Sequence, residues 1–246
     1  MKKISVLLSV RDGELFLANT IDSVLNQTYS ELELIVVVNC STDNSLKIIQ
    51  DFDDDRVKVY ETNICQLSFN LNYALSKASG EYIARIDADD IAMPDRLEKQ
   101  VKCIEEYNYD VVGSNIDYID ENGRGIGNKR YPESNIEIRS KIFYKAVLVH
   151  PSILTKRELL LKNGGYLGGK FAQDYDIWLR IMRDKNIKFY NIQEPLLQYR
   201  IHPSQTKGNR YSYAEVAGYL LKESIYSKSF TYFLGAFIYY VKALVK

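Results

Sequence analysis

Residues 82–90 read YIARIDADD, an apolar, strand-like run that stops abruptly in three carboxylates, Asp87, Asp89 and Asp90. Side chains alternate across a strand, so Asp87 and Asp89 are expected on one side with the small Ala88 between them. Two carboxylates this close repel unless a cation sits with them, and hard divalent ions take oxygen ligands while keeping positions open for phosphate. The strand end therefore reads as a metal and diphosphate site. The competing reading is a solvated acidic turn that caps the helix begun by Pro94, with Asp90 or Asp95 as the cap.

Upstream, the apolar run from Ile4 to Val10 ends in Arg11-Asp12-Gly13 and precedes a helical pattern through Leu17, Ile21, Val24 and Leu25. Leu32 to Val38 is a second, more continuous run, followed by Asn39-Cys40-Ser41-Thr42-Asp43 and a helix carrying Leu46, Ile49 and Phe52. Val57 to Tyr60, a helix from Leu67 to Ala78, and the Ser79-Gly80 turn complete the approach to Tyr82. Continuous β-branched runs alternating with helices predict a doubly wound, mainly parallel sheet covered on both faces. Ligands of such sheets gather at the carboxyl ends of the strands, where Arg11-Asp12, Asn39 and Asp87/Asp89 fall.

Downstream the pattern is mixed. A helix is expected from Pro94 to Tyr107, then strands at 110–119 and 125–131 around an Asn122-Gly123 turn. Further helices are expected at 135–144, at 156–162 with Gly164-Gly165 closing it, and at 174–184, which holds the single tryptophan.

The 246 residues suffice for one large domain or a domain with an appendage, and the second is favoured here. Lysine plus arginine equals aspartate plus glutamate at 32 each, so no global field would hold nucleic acid. Cys40, Cys65 and Cys103 are odd in number and lack metal-ligand spacing, which suggests free thiols in a reducing compartment. The start, MKKISVLLSV, mimics a signal peptide, but its apolar run is short and Arg11-Asp12-Gly13-Glu14 interrupts it. It reads as the buried first strand of a cytoplasmic protein.

Asn39-Cys40-Ser41-Thr42-Asp43, the Asp-Ala-Asp cluster, GGY (164–166), QDYDIWLR (173–180) and YRIH (199–202) occur in an order that resembles family 2 glycosyltransferases of the GT-A fold. The resemblance spans about residues 4–203, is strongest to bacterial non-processive members, and is specific through its joint order rather than through any single element. It implies a Rossmann-like, mixed but mainly parallel sheet, a nucleotide-diphosphate sugar donor, and Mn²⁺ or Mg²⁺ as cofactor. Donor-binding roles fall on Val10, Arg11, Asp12, Asn39, Asp87 and Ala88, metal ligation on Asp89 and His202, and the general base on Asp174. Family members usually carry two acids and a glycine where this chain has Val38, Asn39 and Cys40, and an acid where it has Gln173. Read from the residues alone, Asn39 is equally a turn residue, Ser41-Thr42-Asp43 a helix cap, and Asp174 an N-cap of the following helix. Trp178 and Arg180 read as scaffold, His150 as a pocket wall or structural residue.

The implied activity is inverting, metal-dependent transfer of one sugar, with a UDP-sugar the expected donor, to a glycan or polyprenyl-linked acceptor in surface-polysaccharide synthesis. The Gln-x-x-Arg-Trp signature of processive synthases is absent. A polyprenyl-phosphate sugar synthase is a neighbouring reading, and a catalytically silent nucleotide-sugar-binding or scaffolding protein is the alternative from another class. Residues 1–208 are expected to form the GT-A domain and 209–246 a C-terminal amphipathic helical tail. From Ser229 to Val241 the tail is uncharged, with Phe230, Phe233, Phe237 and Val241 at helical spacing and Lys228, Lys242 and Lys246 around them. The stretch is too short to span a bilayer, which takes about 20 apolar residues. It suits either peripheral contact with the inner face of the cytoplasmic membrane or cover for its own domain or another subunit.

Overall fold

The structure, a computed structural model, describes residues 1–203, 205 and 209–245. Residue 208, the expected end of the first domain, and Lys246 lie outside them. The first half is built of β1 (Ile4–Val10), α1 (Leu17–Leu25), β2 (Leu32–Asn39), α2 (Ser45–Gln50), β3 (Val57–Thr62), α3 (Leu67–Lys77) and β4 (Tyr82–Arg85). The second half continues with β5 (Ile91–Ala92), α4 (Arg96–Tyr107), β6 (Val111–Ile119), β7 (Gly125–Lys129), α5 (Asn135–Lys141), β8 (Leu154–Lys156), α6 (Arg157–Lys162), α7 (Gln173–Ile181), β9 (Phe189–Arg200), α8 (Arg210–Ser227) and α9 (Phe230–Val245).

One sheet carries all these strands in the order β3-β2-β1-β4-β8-β6-β9-β5, with β7 hairpinned onto β6. The β3-β2-β1-β4 half is parallel, whereas β8 runs antiparallel to both β4 and β6, so the sheet is mixed as the downstream pattern implies. Alternation along the strands feeds two cores. Ile4, Val6, Leu8, Leu34 and Val36 meet α1 and α4 on one face, while Leu7, Ile35, Val37 and Ile83 meet α3, α7 and α8 on the other. A leucine or isoleucine truncated to alanine in either layer costs about 2–5 kcal/mol.

Three local differences from the sequence expectations matter for the site. Strand β4 ends at Arg85, and residues 87–90 form a tight turn in which the Asp90 N–H donates to the Asp87 carbonyl at 3.4 Å. The carboxylates are therefore gathered by a turn and not by strand alternation. Arg96, fully buried at the start of α4, donates to the Arg85 and Ile153 carbonyls and fixes that turn from beneath. Its burial lowers its pKa to about 9.

The twelve-residue strand β9 was not anticipated, because its Glu194-Pro195 step breaks the apolar pattern. A β-bulge there lets it run beside β6 and deliver Arg200 to the Asp turn. The third difference is a disulfide between Cys40 and Cys65, with Cα atoms 6.1 Å apart, leaving Cys103 as the free cysteine among the described residues. The expectation of free thiols failed because the ends of β2 and β3 are side by side, a proximity that a separation of 25 residues conceals. With it falls the basis for placing the chain in a reducing compartment. Cys40 has φ +52°, the left-handed conformation in which glycine is least strained, which gives a physical reason for the glycine that the resemblance expects there.

The tail is two helices. Helices α8 and α9 pack on each other, and Val216, Leu220, Ala236 and Tyr239 join the second core. Gly235 lies against the Phe143 backbone with no room for a side chain, and Lys242 Nζ donates to the Tyr144 carbonyl at 2.7 Å. The opposite face of α9, with Phe230, Phe233, Phe237 and Leu244, is exposed. No helix among the described residues is long and apolar enough to cross a membrane.

Candidate active site

A cleft of 1070 Å³ opens over the carboxyl ends of β1, β2 and β4 and continues between β7, the N-terminus of α7 and α9. At the donor-side floor, carboxylate oxygens of Asp87, Asp89 and Asp90 all lie within 4.8 Å of one another. Asp90 is fully buried; one oxygen accepts the Arg200 N–H at 3.0 Å and the other has no partner. Burial, followed by the charges of Asp87 and Asp89, holds its carboxyl far above the ordinary aspartate range. Neither Asp90 nor Asp95 caps α4 with its side chain: Asp90 faces the cluster, and Asp95 sits at the cap position but pairs with Lys99 at 2.8 Å instead of bonding the helix N–H groups.

Asp89 Oδ2 is 2.9 Å from His202 Nε2 and accepts from Gln205 Nε2 at the same distance. The Phe16 ring packs 5.3 Å from the His202 ring and under the Arg200 guanidinium. Arg200 donates to the carbonyls of Asp89 and Asp120, so it clamps the turn. The orphaned Asp90 oxygen, the self-repelling cluster and the imidazole beside Asp89 form an oxygen-rich set with one nitrogen, which fits Mn²⁺ or Mg²⁺.

The remaining donor-side residues are tied to one another. The Asn39 amide donates to Ser9 Oγ at 2.9 Å and to the Val10 carbonyl at 2.8 Å, so its N–H groups brace the strand ends while the residue lines the cleft. Asp12, at φ +51°, accepts from the Thr42 N–H at 2.8 Å and donates its own N–H to Ser41. Ser41 and Thr42 thus join the two strand–helix loops, while Asp43 accepts from Ser45 N–H at the start of α2. Arg11, Asp87 and Ala88 line the cleft; the Val10 side chain is buried beneath Gly13 and does not.

Asp174 is the second residue of α7 and so lies inside its first turn; the cap position belongs to Ala172. The carboxyl faces the cleft. Burial raises its pKa, opposed by the Tyr175 N–H and then by the Arg85 charge. Arg85 was not anticipated, although a lone arginine inside an apolar strand is a visible anomaly. It is buried and ion-paired with Asp87, its Nε has no partner, and it stands electrostatically between Asp87 and Asp174. Burial opposes its charge, but Asp87 outweighs that and raises the guanidinium pKa.

His150 does form wall: its Nε2 is 3.1 Å from the Tyr166 hydroxyl, and burial, then the Arg85 charge, keep it neutral. The GGY turn is pinned by Asn72, whose amide accepts from the Tyr166 N–H and donates to the Tyr166 carbonyl, both at 2.8 Å. Gly165, at φ +65°, has no space for a Cβ against Asn72. Trp178 is core, and Arg180 pairs with Asp176 at 2.7 Å, as scaffold residues should.

A sequence profile described as glycosyl transferase family 2 matches residues 5–163. The O-antigen biosynthesis glycosyltransferase WbnJ of Escherichia coli is 40% identical over 99% of this chain and 97% of its own length. WfgD of E. coli, described as a UDP-Glc:alpha-D-GlcNAc-diphosphoundecaprenol beta-1,3-glucosyltransferase, is 29% identical over 85% of this chain and 81% of its own length. Among solved structures, S. aureus TarS 1-349 in complex with UDP-GlcNAc superposes with a TM-score of 0.73 at 20% identity, covering 89% of this chain and 66% of that one. The Pyrobaculum calidifontis mannosyltransferase PcManGT in complex with GDP-Man and Mn²⁺ gives 0.63 at 19% identity, over 99% of this chain and 73% of that one.

Proposed function

Because the chain belongs to glycosyltransferase family 2, we propose that it moves one sugar from a UDP-sugar, with inversion, onto a lipid-linked acceptor in the synthesis of a surface glycan. The observation that carries this reading is the single cleft in which the Asp87/Asp89/Asp90 cluster and the desolvated Asp174 face a shared space across Arg85. The names of WbnJ and WfgD support the pathway and the acceptor class.

Asp89 and His202, with Asp87 and Asp90 beside them, would hold Mn²⁺ or Mg²⁺, which when bound neutralises the charge of the departing nucleoside diphosphate. Arg11, Asp12 and Asn39 shape the nucleotide end of the cleft. Asp87, held by Arg85, is aimed at the ribose and diphosphate region. Asp174 takes the proton of the acceptor hydroxyl as that oxygen bonds to the anomeric carbon and the bond to the diphosphate oxygen breaks. The raised pKa suits this work, since a more basic carboxylate is the better proton acceptor. Ala88, small at the turn, leaves the backbone open to the donor.

Residues 209–246 serve as an appendage whose inner face completes the core and whose outer face, led by Phe230 and Phe237, contacts the membrane that carries the acceptor. The test is nucleotide release from UDP-, GDP- and dTDP-sugars with Mn²⁺, with and without chelator. Chelator-sensitive release from one UDP-sugar is expected. Donor binding without release or transfer across the panel would favour the silent binding-protein reading.

A further inference from the structure

Beyond Asp174 the cleft changes character. On one side the Asp174 carboxyl acts on Arg85 and Asp87, and on the other on Tyr131, Tyr175 and Tyr239. Past those tyrosines the wall carries Lys129, Lys145 and Lys242. Lys129 Nζ lies 4.8 Å from the Tyr131 ring centroid, and Lys242 Nζ lies 4.5 Å from that of Tyr239. The Tyr175 hydroxyl donates to the Lys145 carbonyl at 2.9 Å and pairs with the Tyr239 hydroxyl at 2.8 Å, which ties the Lys145 main chain to the ring under Lys242, while Lys145 Nζ lies 6.0 Å from the Tyr144 ring centroid.

None of the three has a carboxylate partner among the described residues, whereas Lys141, Lys156 and Lys222 are each ion-paired. Lys129 is exposed in area yet ringed by the cleft wall, and that desolvation, followed by the charge of Lys145, pulls its ammonium below the ordinary lysine value. Like charges lining one stretch of the cleft, with no ion-paired carboxylate among the described residues, cost free energy that a bound anion would recover.

We propose that Lys129, Lys145 and Lys242 form a subsite for the diphosphate of a lipid-diphosphate-linked acceptor, placed so that the acceptor sugar lies over the tyrosines with a hydroxyl at Asp174. The assignment rests on the transferase reading and specifies its acceptor. The lipid would leave the cleft beside Lys242, on the helix whose outer face carries Phe237 and Val241. Lysine suits this work as a point charge that tolerates several phosphate geometries.

The test is calorimetric titration of undecyl diphosphate into the full chain in chelator, with no donor present. Without a divalent ion the aspartate cluster repels the ligand, so the heat reports the lysine end. Lys129→Ala/Lys145→Ala should bind about tenfold more weakly than wild type, since two charge-assisted contacts at a solvent-exposed rim are lost. The charge-matched control Lys47→Ala/Lys162→Ala, altered at exposed lysines outside the cleft, should bind as wild type does. Equal binding by the cleft variant and wild type would overturn the proposal. So would undecyl glucoside binding as tightly as the diphosphate, and pyrophosphate doing so would overturn the lipid-linked assignment. The titration contains neither donor nor metal, so it fails or succeeds separately from nucleotide release.

Discussion

The two ends of the cleft are built by opposite means. The donor end stands on strand termini, and its side chains are committed to one another before any ligand arrives: Asn39 to Ser9, Asp12 to Thr42, Asp87 to Arg85, Asp89 to His202. The far end is assembled from β7, the segment around Lys145, α7 and α9, and its lysines are without ion-pair partners among the described residues. On the function proposed above, the difference teaches that a site for an invariant ligand part, a nucleotide diphosphate, is preorganised on the main sheet, while the variable partner is met by helices, loops and the β7 hairpin.

Asp174 sits at the junction, and its removal should have the largest effect. Asp174→Asn is expected to lower kcat by about 10³-fold while donor binding persists, within the 10²–10⁴ range of general-base loss. Because burial raises the Asp174 pKa, wild-type kcat should climb with pH through a value above that of ordinary aspartate, and this limb should vanish in the variant. The same shift has a stability sign. A carboxyl whose folded pKa is raised favours the folded state at low pH and loses that contribution as pH rises through the folded value, so Asp174→Asn should melt higher than wild type at neutral pH. A lower melting temperature together with an unchanged pH profile would place Asp174 among structural residues.

Next in size is the cross-link under the donor end. A disulfide closing a loop of 25 residues stabilises by about 3 kcal/mol in the chain-entropy account. Cys40→Ser/Cys65→Ser should therefore lower the urea midpoint, with a slope no smaller than that of wild type because the unfolded chain is less constrained; no shift would mean that the loop is already ordered by Asn70 and Thr62. Asp89→Asn should weaken metal-dependent donor binding by about 10- to 100-fold, read by calorimetry with and without Mn²⁺. If binding is unchanged, the preorganised end does not work through a metal held at Asp89. Smallest is the outer face of α9: Phe233→Asp/Phe237→Asp should cut cosedimentation with anionic liposomes by about tenfold, and equal sedimentation would remove the membrane from the acceptor-side picture.

Burial also sets an acid limit on the scaffold. Glu33, buried in β2, accepts from Ser5 and Ser79 and pairs with Lys3 and Lys58. Burial opposes the ionised form, but these hydrogen bonds outweigh it and hold the carboxyl far below the usual range. Its contribution is present above the unfolded carboxylate pKa and is lost as pH falls toward the folded value.

Much of the donor end was legible in the chain. Continuous apolar runs ending near Asp12, Asn39 and Asp87 point to parallel strands and their carboxyl ends, because short β-branched runs alternating with helical patterns suit strands buried on both faces. Asp89 and His202, far apart in sequence, were assigned to one site through the resemblance, and the structure brings them to 2.9 Å. What the sequence could not determine depends on contacts between elements distant in the chain. The Cys40–Cys65 bond follows from the neighbouring of β2 and β3, the reach of β9 from a bulge against β6, and the isolation of Arg85 between Asp87 and Asp174 from three separate elements. The three lysines, without ion-pair partners among the described residues, become one cluster only when α9 folds back over Tyr144. Local patterning sets which face of an element is apolar and where a strand stops; only the tertiary structure decides which charges share a cleft, since Coulomb energy depends on distance in space and not along the chain.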